Sequence, residues 1–496
     1  MQKIHILLVA ILFSASAKAT IYTVNSLANT NTGAGTSGTL LYCITQANLS
    51  VGPHTINFSV AGTIAINNPS AVLPTITQAV TIDGTTAPGY VNTPVIILNA
   101  TGLLNGDGLN VTSANFKIYG IDMNNFPYRG IHINGDAADN FIIGATGKGN
   151  VVRNSGYYGI QITGADNGKI EDNKIGTDAT GMNCAMNQYD GIDLNTAANN
   201  DSILHNQISC NGYNGIQIGG SNFNVVQGNL IGPLLGTCTG SGYRGIDIEL
   251  SSMGNKIGGA NPNEWNKIAG NLYWGIEIKG AGSINNLVSG NSFSCNAYDA
   301  MDVNTGGNNN MLPPAISSAN ATTVTGTSMA NAVIEIFKSQ QTNAALCPTL
   351  PLNQGTDYLG TVTANGTGNW TMSGSFNGYI TATQRDVGNN SSAFSNSIYT
   401  GVPGTLTNAC SGNVIITFVE NNPVKNIFSI YPNPSNGIII INSAEKGEII
   451  LLNSIGEKVK TTIIEVGKNE MNLSDLPSGI YFLQMKGNSI QISVSR

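Results

Sequence analysis

The sequence is poor in charge. Only 10% of its 496 residues are Asp, Glu, Lys or Arg, and the formal net charge is −7. No basic stripe of the kind that nucleic acid requires is present, so a nucleic-acid ligand is excluded. Cys-x-x-Cys and Cys/His metal spacings are also missing, which argues against a metal site built on cysteine. Apolar residues still make up 41% of the chain, enough for a substantial core.

No apolar stretch in the sequence is long enough to span a bilayer, including the one near the N-terminus. Lys3 precedes that stretch, and small residues ending at Ala19 follow it. This arrangement predicts a secretory signal peptide over residues 1–19, cleaved between Ala19 and Thr20. The mature chain is therefore expected to leave the cytoplasm, for a compartment that permits disulfides.

One motif, Tyr-x-Gly-Ile-x-Ile, recurs along the middle of the chain, and its glycine position advances by 24 to 32 residues per copy. A step of this size indicates a solenoid. Apolar and polar residues alternate within each copy, as in a half-buried strand, and turns rich in Asn and Gly separate the strands. The sequence thus predicts an all-β fold: a right-handed parallel β-helix (a pectate-lyase-like solenoid), followed by two small β-sandwich domains. The copies start at Tyr128, Tyr157, Tyr189, Tyr213, Tyr243, Tyr273 and Tyr298.

Changes in this pattern give the predicted domain boundaries. The amphipathic segment from Thr39 to Asn48 is the expected cover for the open N-terminal end of the solenoid, where core and strand edges would otherwise be exposed. The predicted order is a signal peptide (1–19), an N-terminal cap (20–54), the β-helix (55–310), an Ig-like sandwich (315–400), a linker (401–426) and a C-terminal domain (427–496). The early coils are expected to use strands at Thr55–Phe58, Thr63–Ile66, Val80–Asp83 and Val95–Leu98.

Residues 36–90, with GTLLYCITQAN, TINFSVAGTI and VTIDGTTAPG, resemble the opening of bacterial surface proteins with right-handed parallel β-helix repeats. The loop Ile175–Gly181 is similar to an insertion in that family. This resemblance covers about residues 20–310 and implies the fold far more than an activity. Residues 315–400 are similar in segment order to bacterial Ig-like modules, which implies a spacer.

Residues 427–496 resemble the C-terminal sorting domain of the type IX secretion system. This resemblance implies export by the type IX secretion machinery, and a mature protein that is secreted or held at the outer-membrane cell surface. The matching positions include Tyr431, Pro432, Asn433, Pro434, Gly479 and Tyr481.

Seven cysteines leave at least one thiol without a partner in the chain. Cys184 and Cys238 are predicted to lie two coils apart, about 9.6 Å, which is beyond disulfide reach. Cys210 with either of them is a feasible bridge, and Cys347 with Cys410 is another candidate.

Strict alternation places one polar residue per copy on the outer face of a sheet, between two inward isoleucines. The same alternation points Arg129 and Arg244 inward, unless the glycine corner resets it. We expect the outward residues to face solvent as one column. They are Asp122, His132, Gln161, Asp193, Gln217, Asp247, Glu277 and Asp302.

Three functions remain open on this evidence. A binding or adhesion module for carbohydrate would employ aromatic side chains. Its candidate sugar contacts are Tyr243, Tyr273, Trp274 and Tyr298. A purely structural stalk would need no ligand, and its stacked tyrosines would simply stabilise the solenoid.

The third function is that of a polysaccharide lyase or glycoside hydrolase. Adjacent rungs about 4.8 Å apart bring carboxylates close to the separation used by retaining glycosidases. Three of these carboxylates, Asp247, Glu277 and Asp302, would alternatively hold Ca²⁺. The candidate catalytic residues are Asp193, Asp247, Glu277 and Asp302.

Overall fold

The computed structural model describes residues 19–233, 242–339, 353–402, 428–431, 435, 437–453, 458–485 and 488–494. Residues 1–18 of the predicted signal peptide lie outside these residues, and so do Pro432, Asn433, Pro434, Cys238, Cys347 and Cys410. The chain forms two compact units, 1–415 and 416–496. None of the helices in the described ranges has the length and apolar character needed to cross a bilayer.

Three long sheets form a parallel β-helix in the first unit, as the sequence predicts, and each regular coil adds one strand to each sheet. Sheet A contains Gly33–Ala34, Ser37–Thr39, Ile21–Ser26, His54–Phe58, Val80–Asp83, Lys117–Tyr119, Ile142–Ile143, Lys169–Glu171, Ser202–Leu204, Val225–Gln227, Lys256–Gly258 and Leu287–Ser289. Sheet B contains Gly62–Ala65, Ile96–Asn99, Ile121–Asn124, Val151–Arg153, Lys174–Ile175, Gln207–Ser209, Leu230–Gly232, Lys267–Ala269 and Ser292–Ser294. Sheet C contains Leu109–Val111, Ile131–Asn134, Ile160–Thr163, Ile192–Asn195, Ile216–Gly219, Ile246–Glu249, Ile276–Lys279 and Met301–Asn304.

The paired isoleucines of the repeat stack inside the solenoid. Ile131 and Ile133 pair in register with Ile160 and Ile162, and all four side chains are fully buried. The same register continues along sheet C, so one apolar core runs through the coils. Short 3-10 turns occur at Pro69–Ala71, Gly84–Thr86, Asp136–Ala138, Pro262–Glu264 and Gly307–Asn310.

Buried asparagines form ladders at the corners of the coils. The Oδ1 atom of Asn206 accepts from the backbone N–H and the Nδ2 of Asn173, both at 2.9 Å. Its Nδ2 donates to the carbonyl of Ile170 at 2.9 Å and to Oδ1 of Asn229 at 3.0 Å. Each rung therefore satisfies corner backbone groups that would otherwise be buried without partners.

The N-terminal end is closed by the helix Leu40–Ala47, which lies within the segment predicted as a cap. The Oγ1 atom of Thr39 accepts from the N–H of Tyr42 and caps the helix, and Leu40 and Ile44 pack into the solenoid core. The solenoid starts earlier than residue 55, because Ile21–Ser26 already pairs in parallel with His54–Phe58.

A small antiparallel sandwich follows the solenoid and covers its C-terminal end. Phe394 of this domain contacts Phe293 of a late coil, with ring centroids 5.5 Å apart. The carboxylate of Glu335 accepts from the Ser289 hydroxyl at 2.5 Å and from the Gly290 N–H at 2.9 Å. The predicted spacer thus also supplies partners for exposed strand ends. Its two sheets contain Ala315–Ala319, Thr323–Thr327 and Asn369–Ser373, and Gly355–Thr363, Val333–Ser339, Tyr379–Arg385 and Ile398–Tyr399.

The second unit is a separate antiparallel sandwich with its own core, which includes Ile441 and Leu483. Gly479 opens a strand, and the hydroxyl of the buried Tyr481 donates to the carbonyl of Pro477 at 2.9 Å. The two sheets contain Phe428–Tyr431, Ile438–Ser443 and Gly467–Asn472, and Lys458–Ile464, Gly447–Asn453, Gly479–Met485 and Asn488–Val494.

A disulfide joins Cys184 to Cys210. It is one of the two bridges that the coil spacing allows for Cys210. Cys43, in the N-terminal helix, is a buried free thiol.

Candidate functional site

The predicted polar column exists on the outer face of sheet C, with one exception. Asp122 belongs to sheet B, where it pairs with Ile97 and Val151 and forms an ion pair with Arg153 at 2.9 Å. The prediction for Asp122 was wrong because its Gly-Ile-Asp-Met sequence begins the sheet B strand of its coil. The residues in register along sheet C are His132, Gln161, Asp193, Gln217, Asp247, Glu277 and Asp302.

These side chains are covered rather than freely solvated, which corrects the expectation of a solvated face. Asp193 and Asp247 are only 2% and 1% exposed, while Asp302, on the last strand of the sheet, is half-buried. Long side chains from the neighbouring positions of the repeat, such as Arg244 and Lys279, cover the column. A buried carboxylate needs a cation or hydrogen-bond donors, so the column is an organised network.

Arg129 and Arg244 contact this column on the outer face and do not point into the core. The physical reason is the glycine that follows each arginine. A Cβ at Gly245 would lie 2.5 Å from the carbonyl oxygen of Gly275, so only glycine permits this close approach of successive coils. The chain turns at that glycine, and the alternation of the strand starts afresh after it.

One ion-pair cluster lies toward the C-terminal end of sheet C. Lys279 Nζ lies 2.9 Å from Asp247, 2.8 Å from Glu249 and 3.2 Å from Glu277. Arg244 Nη1 lies 3.2 Å from Asp247, and its Nε makes a 2.6 Å ion-pair contact with Glu277 that is poorly directed for a hydrogen bond. Oδ1 of Asp247 has no hydrogen-bond partner. Two cations thus hold three carboxylates together.

This cluster does not provide the donor set predicted for Ca²⁺ at Asp247, Glu277 and Asp302. The ammonium of Lys279 and the guanidinium of Arg244 already occupy the positions beside the first two carboxylates. Among the residues described, no group of three His, Cys, Asp or Glu side chains is arranged to hold a metal ion. A divalent cation would have to displace both basic groups.

A second network lies toward the N-terminal end of the same face. Arg129 pairs with Asp107 at 3.2 Å and donates through Nε to Gln161. Gln161 in turn donates to Asp193 at 2.6 Å, and Nδ1 of His132 lies 3.5 Å from Asp107. Asp107 lies just before the sheet C strand Leu109–Val111, outside the repeat, so the sequence pattern gave no sign of its role.

The middle of the face carries carboxyl groups with perturbed pKa values. Burial raises the pKa of Asp190 to about 8, and the nearby Asp193 and Asp247 add to the effect. Burial also raises the pKa of Asp193, and it raises that of Asp247 to about 6 against the opposing effect of Lys279. Asp190 was missed because it lies before the glycine, at a position of the repeat that was expected to point inward.

The tyrosines of the repeat form two stacks beside the column. Ring contacts join Tyr243 to Tyr273 at 4.5 Å and Tyr273 to Tyr298 at 4.2 Å, so the faces of these predicted sugar contacts are turned toward one another. Trp274 packs edge-on against Tyr273, and the Arg244 guanidinium lies 4.2 Å above the Tyr243 ring. This group of aromatic side chains therefore supports Arg244.

Residues 429–495 match the family model of the secretion system C-terminal sorting domain. The chain therefore carries a sorting domain of the type IX secretion system and is a secreted or cell-surface protein. No curated protein sequence matches the chain.

Several solved structures are similar to the chain at low identity. The BSP domain of a biofilm-associated protein is 18% identical to this chain, with a TM-score of 0.13. The match covers 37% of this chain and only 29% of that protein. The enzymatically active domain of tailspike protein 2 from bacteriophage CBA120 is 9% identical over 90% of this chain and 79% of its own, with a TM-score of 0.34. A mannuronan C-5 epimerase A-module from Azotobacter vinelandii is 15% identical over 55% of this chain and 87% of its own, also with a TM-score of 0.34. Structural similarity at these identities and TM-scores does not identify an activity for this chain.

Proposed function

We propose that the chain is an exported glycan-binding protein of the adhesion type and that the outer face of sheet C is its binding surface. The observation that carries this proposal is the alignment of hydrogen-bonding side chains with half-exposed tyrosines over successive coils. Aromatic rings beside a few fixed polar groups are the usual composition of a ligand site. The ion pairs hold those polar groups in place before a ligand arrives.

The charges of this face favour a neutral glycan. Its carboxylates outnumber its basic side chains, and the basic groups of Arg129, Arg244 and Lys279 already pair with carboxylates. A uronic-acid polymer would meet net repulsion there, whereas sugar hydroxyls can donate to carboxylates and amide oxygens. The formal charge of the whole chain, −7, acts in the same direction.

Binding of the full mature chain to immobilised polysaccharides tests this proposal. Suitable surfaces are a β-glucan, a galactan and a mannan, with polygalacturonate as the anionic comparison. Replacing Asn195 and Glu249 together by alanine removes half-buried polar groups of the face, and we expect it to weaken binding by roughly tenfold. Glu264→Ala, in the Pro262–Glu264 turn between sheets A and B, is the matched control. If the wild-type chain binds none of the immobilised polysaccharides, a purely structural stalk explains the protein better than a glycan-binding module.

A second candidate function is acid–base catalysis on a polysaccharide, as a lyase or glycoside hydrolase. Asp247 favours it, because a buried carboxyl with a pKa of about 6 beside a guanidinium is suited to proton transfer. The test is an assay of reducing-end release and of unsaturated products with the wild-type chain and with Asp247→Asn. If no product forms from any of the four polysaccharides, with or without Ca²⁺, this candidate is eliminated.

A further inference from the structure

The tyrosine ladder is interrupted between Tyr189 and Tyr213. Tyr189 stacks on Tyr157 with ring centroids 5.0 Å apart, and Tyr213 stacks on Tyr243 at 4.9 Å. Within the described part of the chain, no ring contact joins Tyr189 to Tyr213. The backbone does not cause this gap, because the N–H of Tyr213 donates to the carbonyl of Tyr189 at 3.2 Å, as in neighbouring coils.

Neighbouring side chains account for the separation of the two rings. The ring of Tyr158 contacts that of Tyr189 at 5.9 Å and holds it with the N-terminal stack. On the other side, the Tyr213 side chain interacts with Arg244, whose guanidinium lies over the ring of Tyr243. Each of the two tyrosines therefore belongs to its own stack, and one ring face of each is left without an aromatic partner.

Small polar residues lie at the foot of this gap. The position after the tyrosine holds Asp190 and Asn214 here, whereas the coils on either side hold the larger Tyr158 and Arg244. Asp190 and Gln217 are buried, with 5% and 9% of their surface exposed. The buried Asn214 fixes both of them, since its N–H donates to Asp190 and its Nδ2 donates to Gln217, each at 2.8 Å.

We infer that this gap, the Tyr189–Tyr213 slot, is the primary subsite for a single neutral sugar ring of the glycan. The inference rests on the proposed glycan-binding function. The apolar C–H face of a pyranose would pack against a tyrosine ring, and the pair of rings would form the two walls. Ring hydroxyls would meet Asp190 and Gln217, whose orientation is already fixed by Asn214. The other tyrosines cover one another and contribute to the stability of the solenoid.

Alanine variants of the tyrosines test the slot in the full mature chain. We expect Tyr189→Ala and Tyr213→Ala each to lower affinity for the bound neutral polysaccharide by about tenfold. Tyr157→Ala, which removes a ring that already contacts Tyr128 and Tyr189, should lower affinity by a smaller factor than Tyr189→Ala does. Thermal unfolding of each variant separates a loss of fold from a loss of the subsite, and Asp190→Asn, an isosteric change, tests the floor without removing a wall.

The outcomes of this experiment are distinct. Losses confined to Tyr189, Tyr213 and Asp190 variants support the slot. Binding by the wild-type chain with equal losses for Tyr157→Ala and Tyr189→Ala would overturn the slot but leave the glycan-binding face standing. Absence of binding to the β-glucan, the galactan and the mannan would overturn both.

Discussion

Gln354, in the sandwich domain, continues an asparagine ladder that begins inside the solenoid. Its Oε1 accepts from the N–H of Asn296 at 3.1 Å and from Nδ2 of Asn296 at 3.0 Å, and its Nε2 donates to the Asn296 carbonyl at 2.7 Å. The glutamine thus takes the place that the next coil would have filled. A solenoid requires such a cover because its last coil carries unpaired strand edges.

Gln354→Ala is expected to lower the free energy of unfolding by about 1–3 kcal/mol, because it leaves buried amide groups of Asn296 without partners. Urea unfolding followed by circular dichroism measures the change. Gln188→Ala makes the same substitution at an exposed site and should be nearly neutral. Equal midpoints for the two variants would show that Gln354 does not stabilise the last coil.

Asp201→Asn is expected to stabilise the protein, and more so at high pH. Asp201 lies in a ladder whose next members are Asn224 and Asn255. Oδ2 of Asp201 has no hydrogen-bond partner, whereas an asparagine would place an Nδ2 donor at that position. Burial raises the pKa of Asp201 from 3.8 to about 8. Because the pKa of Asp201 is higher in the folded than in the unfolded state, its contribution to the free energy of unfolding is fully present below about pH 4. That contribution is lost as the pH rises through about 8. The variant should therefore gain more over wild type at pH 8 than at pH 5.

Urea unfolding at these two pH values measures the Asp201 effect, and the exposed Asp136→Asn serves as the control. A gain for Asp201→Asn that does not depend on pH would contradict the assigned protonation behaviour.

Arg244→Met is expected to destabilise the protein by about 3–5 kcal/mol at neutral pH, because it leaves Asp247 and Glu277 buried with one cation fewer. The loss should shrink at pH 4, where Asp247, whose pKa burial raises to about 6, takes up a proton, and part of it should return in the double variant Arg244→Met/Glu277→Gln. Denaturation of the four proteins of this double-mutant cycle gives the coupling energy. A coupling near zero would mean that the ion pair stabilises nothing.

Replacing both Cys184 and Cys210 by serine should cost about 2–4 kcal/mol, since the disulfide closes a loop with a sequence separation of 26. Thermal unfolding of wild type with and without a reductant provides an independent measurement. The reductant should destabilise wild type by more than it destabilises the serine variant, in which Cys295 still forms a disulfide.

Deletion of residues 427–496 should stop export, because these residues contain the sorting domain. Immunoblotting of cell and medium fractions in a host with the type IX machinery measures this, with a solenoid variant such as Glu264→Ala as the control for expression. The truncated chain found outside the cell in normal amount would mean that another segment directs export.

The sequence predicted the fold well because isoleucine pairs and polar residues alternate with strand periodicity in every copy. The same alternation failed at the glycine corner, so it missed Arg244 and Asp190 on the outer face. The role of Gln354 was also out of reach, since its partner Asn296 is 58 residues away in a domain of different pattern. The gap between Tyr189 and Tyr213 depends on side-chain direction, which a repeat of identical tyrosines does not reveal.

Hydroxyl-radical footprinting of the full mature chain, with and without a neutral polysaccharide, tests the binding face most directly. Tyr189 and Tyr213 are 45% and 42% exposed and should lose reactivity when the ligand is bound. Tyr399 of the sandwich domain, 44% exposed, should keep its reactivity. Protection of Tyr399 instead, with Tyr189 and Tyr213 still fully reactive, would contradict the assignment of sheet C as the glycan-binding surface.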